Sequence, residues 1–334
     1  MDGLSKASWQ KETGVLQRDD FDAGPSNLDC IEPGLWLGNL TAATDVELLE
    51  QLKLNYILTV DSCPLPRNVS SLPGMNTMFL QVTDMPKEDL LSYFQETYEF
   101  IKKGQESGEV LVHCYFGVSR SSTIVIAYLM KKYHISFNDA FQRARTKRKF
   151  VSPNPGFEAQ LRLYERMNFS INNMHIQFRI FRLKVAAKKV MKVKILPREC
   201  MDVVKSDPAL ITVKPDPLVY RCCKCRRIVA SASNLLPHVA GQEPSWKSSS
   251  YCLSLESNDI CNQTYFVEPL AWMKTASQAE QGKLYCPKCN SKLGSFSWNM
   301  GCQCPCGSKM SPAFYLISSK VEWSNIVQNV QITV

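Results

Sequence analysis

The stretch Val110 to Met130, VLVHCYFGVSRSSTIVIAYLM, constrains this chain more than any other. Val110-Leu111-Val112 is a short apolar run of the sort that forms a buried strand. Thr123 to Met130 is a longer apolar run, and Ser121 and Ser122 just ahead of it are predicted helix N-caps. The residues between, His113 to Arg120, must turn strand into helix. Such a turn aims backbone N–H groups at one point, and the helix end adds partial positive charge. The expected occupant is a phosphate-like dianion, held by the loop amides and by a bidentate Arg120. Cys114 falls at the floor of that cradle, where the same positive field favours its thiolate. A thiolate beneath a bound phosphate is a nucleophile aimed at phosphorus. Gly117 suits a point that needs positive φ or close approach of backbone to ligand. A buried core cysteine beside a solvated arginine is the bland alternative. It does not explain why His113, Gly117, Arg120 and Ser121 fall together.

The flanking sequence alternates strand and helix patterns. Leu35 to Gly38, Asn55 to Val60 and Thr77 to Val82 read as strands, and Asp45 to Lys53 and Leu90 to Lys103 as helices. Ser136 is a predicted N-cap for a helix reaching Lys147, and Pro155 opens another to Met167. This rhythm predicts an α/β fold, a central and largely parallel sheet flanked by helices, with ligands bound beyond the carboxyl ends of the strands. Asp84, in a loop after the third strand, is placed to act as general acid and then base; Glu88 and Asp89 are competing carboxyls. The basic run Arg143 to Lys149 reads as a solvated helix end.

The pattern HC-x5-R-S resembles the signature of the cysteine-dependent protein phosphatases, and its Ser119-Arg120-Ser121 ending is most similar to the dual-specificity subfamily. The likeness runs from about residue 27 to 170. It implies a phosphocysteine mechanism on phosphotyrosine and phosphoserine or phosphothreonine, needing no cofactor. Cys114 is then the nucleophile, Arg120 the phosphate clamp and Asp84 the general acid. Ser121 assists departure of the thiolate, His113 orients the loop, and Asn154 braces it. Tyr115, Phe116, Gly117, Val118, Ser119 and Arg120 would line the substrate. The family usually carries a small residue where this chain has Phe116, so a narrowed cleft mouth is expected. The loop lacks the lysines of phosphoinositide phosphatases, which points away from lipid substrates.

Beyond residue 170 the composition changes. Between Ile171 and Tyr220 there are ten Lys and Arg against four Asp and Glu, and the alternation in Gln177-Phe178-Arg179-Ile180-Phe181-Arg182 predicts a strand leading into a basic linker. Ten of the fourteen cysteines then lie between Cys222 and Cys306. The start MDGLSKASWQ has no apolar core, so a disulfide scaffold in a secreted chain is not expected, and metal ligation is. Cys222-x2-Cys225 and Cys286-x2-Cys289 are two knuckles with zinc spacing, and Cys304-Pro-Cys306 supplies a third pair. With His238 and Cys261 that makes eight donors, enough for two closed sites. Spacing does not fix the pairing; the preferred one sets Cys222, Cys225, Cys286 and Cys289 around one ion and His238, Cys261, Cys304 and Cys306 around the other. Cys223, Cys252 and Cys302 remain as spares.

Expected boundaries are a disordered 1–26, a catalytic domain at 27–170, a basic linker or strand at 171–220, a small zinc-stabilised β-rich domain with a thin apolar core at 221–320, and a tail at 321–334. The combination of catalytic and Cys/His modules resembles the atypical dual-specificity phosphatases with a C-terminal zinc-binding module. That resemblance implies two structural zinc ions, phosphoprotein substrates, a nuclear and cytoplasmic distribution, and a link to large ribosomal subunit assembly. Contacts with pre-ribosomal particles or RNA-associated proteins through the zinc module and basic segment belong to the same expectation. No membrane partner is expected, because the apolar run Ile124 to Met130 near the signature is far too short to span a bilayer.

Overall fold

The computed structural model describes residues 23–213, 216–248, 251 and 260–325. The predicted disordered lead-in up to residue 22, the spare Cys252 and the last nine residues lie outside the described residues.

The first half runs β1 (Leu28–Glu32), β2 (Leu35–Gly38), α1 (Leu40–Thr44), α2 (Val46–Gln51), β3 (Leu54–Asp61), α3 (Arg67–Ser70), β4 (Asn76–Gln81), α4 (Phe94–Ser107), β5 (Glu109–His113), α5 (Arg120–Tyr133), α6 (Phe137–Lys147) and α7 (Pro155–Arg166). The sheet order is β1-β2-β5-β3-β4, with β1 antiparallel to β2 and the other pairs parallel. The expected architecture is therefore present, with β1 an additional edge strand that sequence patterning missed. Residues 110–112 of β5 are fully buried, as a central parallel strand requires. Every residue of α5 from Arg120 to Met130 is buried, because the helix lies between the sheet and α4, α6 and α7. That explains its apolar character all round. The N-cap of α5 is Ser119, so Ser121 and Ser122 sit inside its first turn rather than at its cap.

Residues 171–220 depart from expectation. The alternating segment is α8 (Ile176–Val193), a helix and not a strand. Apolar residues at 178, 181 and 185 follow one helical face, and those at 180, 183, 187 and 190 another; both faces are buried, so together they imitate a period of two. Nor is the segment a free linker. Arg182 Nη1 donates to Asp89 at 2.6 Å, Arg179 pairs with Glu268 at 2.7 Å with both side chains buried, and Phe181 meets Trp246 edge-to-face. The helix thus joins the two halves.

The second half is antiparallel: β6 (Leu218–Cys222), β7 (Ile228–Ser231), β8 (Thr264–Phe266), β9 (Gln281–Tyr285), β10 (Lys292–Ser297), β11 (Cys302–Gln303), β12 (Lys309–Met310), β13 (Ala313–Ile317) and β14 (Val321–Asn325). One sheet is ordered β8-β13-β10-β9 and another β14-β6-β7. The expected C-terminal tail therefore begins as a strand, pairing Val321 with Cys222 and Trp323 with Tyr220. The apolar core is not thin either. Trp298, Phe296, Phe314 and Phe266 are at most 2% exposed and belong to one buried cluster that continues through α8 into the first half.

Candidate active site and metal centres

The loop after β5 is shaped by what grips it from outside. Tyr115 O accepts from Leu40 N–H, Gly117 O from Arg148 Nε at 2.9 Å, Phe116 O more weakly from Arg148 Nη2 at 3.4 Å, Val118 O from Ser152 N–H, and Ser119 O from Thr123 N–H. With the carbonyls tied outward, the amides are free to turn toward the centre, where Gly117 N–H donates to Cys114 Sγ at 3.2 Å. Gly117 holds φ of +69°, and a Cβ there would lie 2.5 Å from Gly38 O. No other residue type fits this point.

Cys114 is 1% exposed and also accepts from Ser121 Oγ at 3.1 Å. Ser121 therefore touches the sulfur directly, in keeping with the role its resemblance implies. His113 is fully buried, and its Nε2 bonds Thr59 Oγ1 at 2.8 Å, anchoring the end of β5 to β3. Arg120 is 6% exposed, and its Nη1 donates to Asp61 Oδ1 at 2.7 Å and to Val82 O at 3.2 Å. Its Nε is buried without a partner among the described residues. One edge of the guanidinium is thus fixed, and the Nε–Nη2 edge is left to grip an anion in bidentate fashion. A buried donor without a partner is costly, and a phosphate oxygen would relieve that cost.

Of the three candidate carboxyls, Asp84 meets the loop. Its Oδ1 accepts from Ser119 Oγ at 2.7 Å and from Asn154 Nδ2 at 2.8 Å; Oδ2 makes no bond among the described residues. Asp89 is committed to Arg182 and to Ser92. Asn154 does two things at once. Its Oδ1 caps α7 through Gly156 and Phe157 N–H, and its Nδ2 holds Asp84. Phe116, 55% exposed, stands edge-on to Tyr115 at the rim, and Val118 is half-buried.

Two residues escaped the sequence reading. Arg148, in a run taken for a solvated helix end, is 1% exposed. Besides the loop carbonyls it binds Asp29 at 2.6 Å and stacks over Phe150. Burial lowers its pKa, and the Asp29 carboxylate opposes that fall. Asp61, the carboxylate that orients Arg120, carried no local signal beyond its place at the end of a buried strand.

The cysteine-rich half assembles the eight expected donors in the preferred pairing. Cys222, Cys225, Cys286 and Cys289 converge, and so do His238, Cys261, Cys304 and Cys306, each group with ligand atoms within 4.8 Å of one another. Sulfur separations are 3.7 Å for Cys222–Cys289, 3.5 Å for Cys225–Cys286 and 3.8 Å for Cys261–Cys304. Tetrahedral zinc with Zn–S of about 2.3 Å sets sulfurs about 3.8 Å apart, so the spacing suits that ion. Both C-x2-C knuckles make the same turn. Arg226 N–H returns to Cys222 O, and Asn290 N–H to Cys286 O, with Arg226 and Asn290 both at positive φ. His238 is 1% exposed with Nε2 unpartnered among the described residues, as a ligand atom awaiting a cation would be. Burial and the adjacent sulfurs push the Cys286 thiol up to about 12, a charge conflict that a divalent ion removes. Cys223 and Cys302 belong to neither group.

Residues 35–167 match the family model "Dual specificity phosphatase, catalytic domain". The chain is 42% identical to the Drosophila melanogaster dual specificity protein phosphatase MPK-4, over 97% of this chain and 95% of that one. It is 33% identical to Homo sapiens dual specificity protein phosphatase 12, over 89% of this chain and 88% of that one. The likeness to both extends through the cysteine-rich half as well as the phosphate loop. The chain therefore belongs to the dual specificity protein phosphatases, in the branch that includes dual specificity protein phosphatase 12 and MPK-4.

Proposed function

We propose that the protein hydrolyses phosphotyrosine and phosphoserine or phosphothreonine residues of other proteins through a phosphocysteine intermediate. The convergence of Gly117 N–H and Ser121 Oγ on Cys114 Sγ, beside the open edge of Arg120, carries this reading. The substrate's phosphate sits in the loop, its equatorial oxygens on the amides and on Arg120 Nε and Nη2. Cys114 sulfur attacks phosphorus as the bond to the leaving oxygen breaks, and Asp84 gives that oxygen a proton. Water then attacks the phosphocysteine, Asp84 takes its proton, and the S–P bond breaks to return the thiolate. Ser121 donates to the departing sulfur and eases that second step. Asp84 is held for both transfers by Ser119 and Asn154.

The two four-donor groups hold structural zinc in this reading. Each is closed, with no open coordination position for substrate, so zinc supplies folding energy and takes no step in phosphoryl transfer. The test is hydrolysis of a small aryl phosphate by wild type, Cys114→Ser and Asp84→Asn, with zinc content measured on the same samples. Activity lost in Cys114→Ser and strongly reduced in Asp84→Asn, at equal zinc content, supports the reading; activity retained in Cys114→Ser refutes it.

A second role has an observation of its own. Trp323 on β14 is 63% exposed and lines a cleft of about 410 Å³ with Ile260, next to His238. Exposed aromatics beside a cleft suit partner binding. We assign to this half a zinc-dependent part in assembling the large ribosomal subunit, in nucleus and cytoplasm, with catalysis dispensable for it. Rescue of a deletion strain by Cys114→Ser but not by Cys286→Ser supports that role. The opposite pattern removes it.

A further inference from the structure

One cavity next to the active site plays no part in the chemistry above. It holds about 470 Å³ and lies between the loop that carries Asp84 and the C-terminal half of α8. Lys87 from the loop and Lys188, Lys189 and Lys192 from α8 line it, with Met85 and Tyr93 as its apolar wall. Two carboxylates share the lining, Glu88 and Asp89. Asp89 is consumed by Arg182, and Lys189 reaches Glu199 only across an exposed 3.4 Å contact, so four lysines against Glu88 leave the cavity an excess of positive charge. Burial pulls the Lys188 ammonium down, Lys87, Lys184 and Lys247 add to that fall, and Glu88 opposes it without reversing it.

We infer that this lysine-lined cavity docks an acidic segment of the phosphoprotein substrate, carboxylates or a second phosphate near the residue being dephosphorylated. The inference rests on the phosphatase reading and names what that site selects. Position supports it. Met85 follows Asp84 directly, and successive Cα atoms are about 3.8 Å apart, so a peptide leaving the phosphate loop past Asp84 meets the cavity within a few residues. Charge supports it too, since four lysines line the cavity and among the described residues only Lys189 has a carboxylate partner, at an exposed 3.4 Å. The pocket offers one aromatic ring, whereas single-stranded RNA sites use successive stacking platforms, so an acidic polypeptide is the better fit. Lys188 Nζ donates to Lys87 O and Lys189 to Glu199, and among the described residues no hydrogen bond or ion pair joins these lysines to Cys114, Arg120, Asp84 or Asn154. Substrate selection can therefore be altered without touching the chemistry.

The test uses the full chain and a Lys189→Gln/Lys192→Gln variant. Substrates are a small aryl phosphate, a phosphotyrosine peptide flanked by glutamates and the same peptide flanked by glutamines. Affinity for both peptides is also read by fluorescence anisotropy. In wild type the acidic peptide should have the lower KM, and the variant should raise that KM about five- to tenfold at low ionic strength, with kcat and aryl phosphate hydrolysis unchanged. Equal KM for the two peptides in wild type, or an acidic preference that survives in the variant, overturns the inference while leaving the phosphatase reading intact. So does a variant that loses affinity for a single-stranded RNA oligonucleotide but keeps its peptide preference. Failure of wild type to hydrolyse the aryl phosphate overturns the phosphatase reading instead, and anisotropy then decides the docking site alone.

Discussion

Replacing Arg148 with methionine asks whether the phosphate loop is held open from behind. The side chain is completely buried, and its Nε bond to Gly117 O at 2.9 Å is the better formed of its two contacts to loop carbonyls. A hydrogen bond from a charged donor contributes about 2 kcal/mol. The pair with Asp29, which is 37% exposed and can rehydrate, together with the bond from the same Nη1 to Asn27 Oδ1, adds about 1 kcal/mol. Stacking over Phe150 adds about 0.5 kcal/mol. The contact to Phe116 O, at 3.4 Å, is too long to add much. The total, about 3.5 kcal/mol, falls on the loop, because Arg148 spans Asp29 and the loop without entering the main apolar cluster. At about 1.4 kcal/mol per tenfold, kcat/KM for a small aryl phosphate should drop by about two and a half orders of magnitude. Arg148→Lys keeps the charge but loses the fork and should fall between. Steady-state kinetics together with thermal melts of all three proteins make the measurement. An Arg148→Met protein within about twofold of wild type in kcat/KM, at unchanged Tm, would refute the idea that this arginine shapes the cradle.

Gly117→Ala should abolish hydrolysis while leaving zinc content and the far-UV spectrum unchanged, since the added Cβ meets Gly38 O at 2.5 Å in the loop alone; an active variant would show that the loop can relax. Asn154→Ala should cost about tenfold in kcat on substrates with poor leaving groups, and less on activated aryl phosphates, because it loosens the general acid and not the nucleophile. Phe116→Ala should speed hydrolysis of bulky aryl phosphates selectively, and equal rates on every substrate would remove the steric reading of that ring. Chelation of zinc, or Cys286→Ser, should lower the melting temperature of the whole chain and not of one half only, because a single buried cluster runs through both; differential scanning calorimetry that shows an unshifted catalytic transition would contradict this.

Local chemistry made much of the site readable. Cys114, Gly117, Arg120 and Ser121 lie within eight residues, so spacing alone determines their geometry once strand and helix flank them. The halves of the first metal group were readable for the same reason, because each C-x2-C knuckle is its own turn, whereas spacing left open which pairs join, and His238 and Cys261 lie far along the chain from Cys304 and Cys306. Arg148, Asp61 and Asp29 were not, because their partners lie 31, 59 and 119 residues away and nothing local marks an arginine as buried. The helix at Ile176–Val193 was misread because burial on two faces erases the contrast that periodicity depends on. The strand at Val321–Asn325 was missed because its pairing with β6 is set by a segment about a hundred residues earlier.

The central claim is that Cys114 forms a covalent bond to phosphorus. Rapid acid quench of the wild-type chain during turnover of a radiolabelled phosphotyrosine peptide, followed by mass spectrometry of the labelled fragment, tests it directly. The account predicts a phosphorylated thiol on Cys114, absent from Cys114→Ser. Label on another residue, or full turnover by Cys114→Ser, would contradict it.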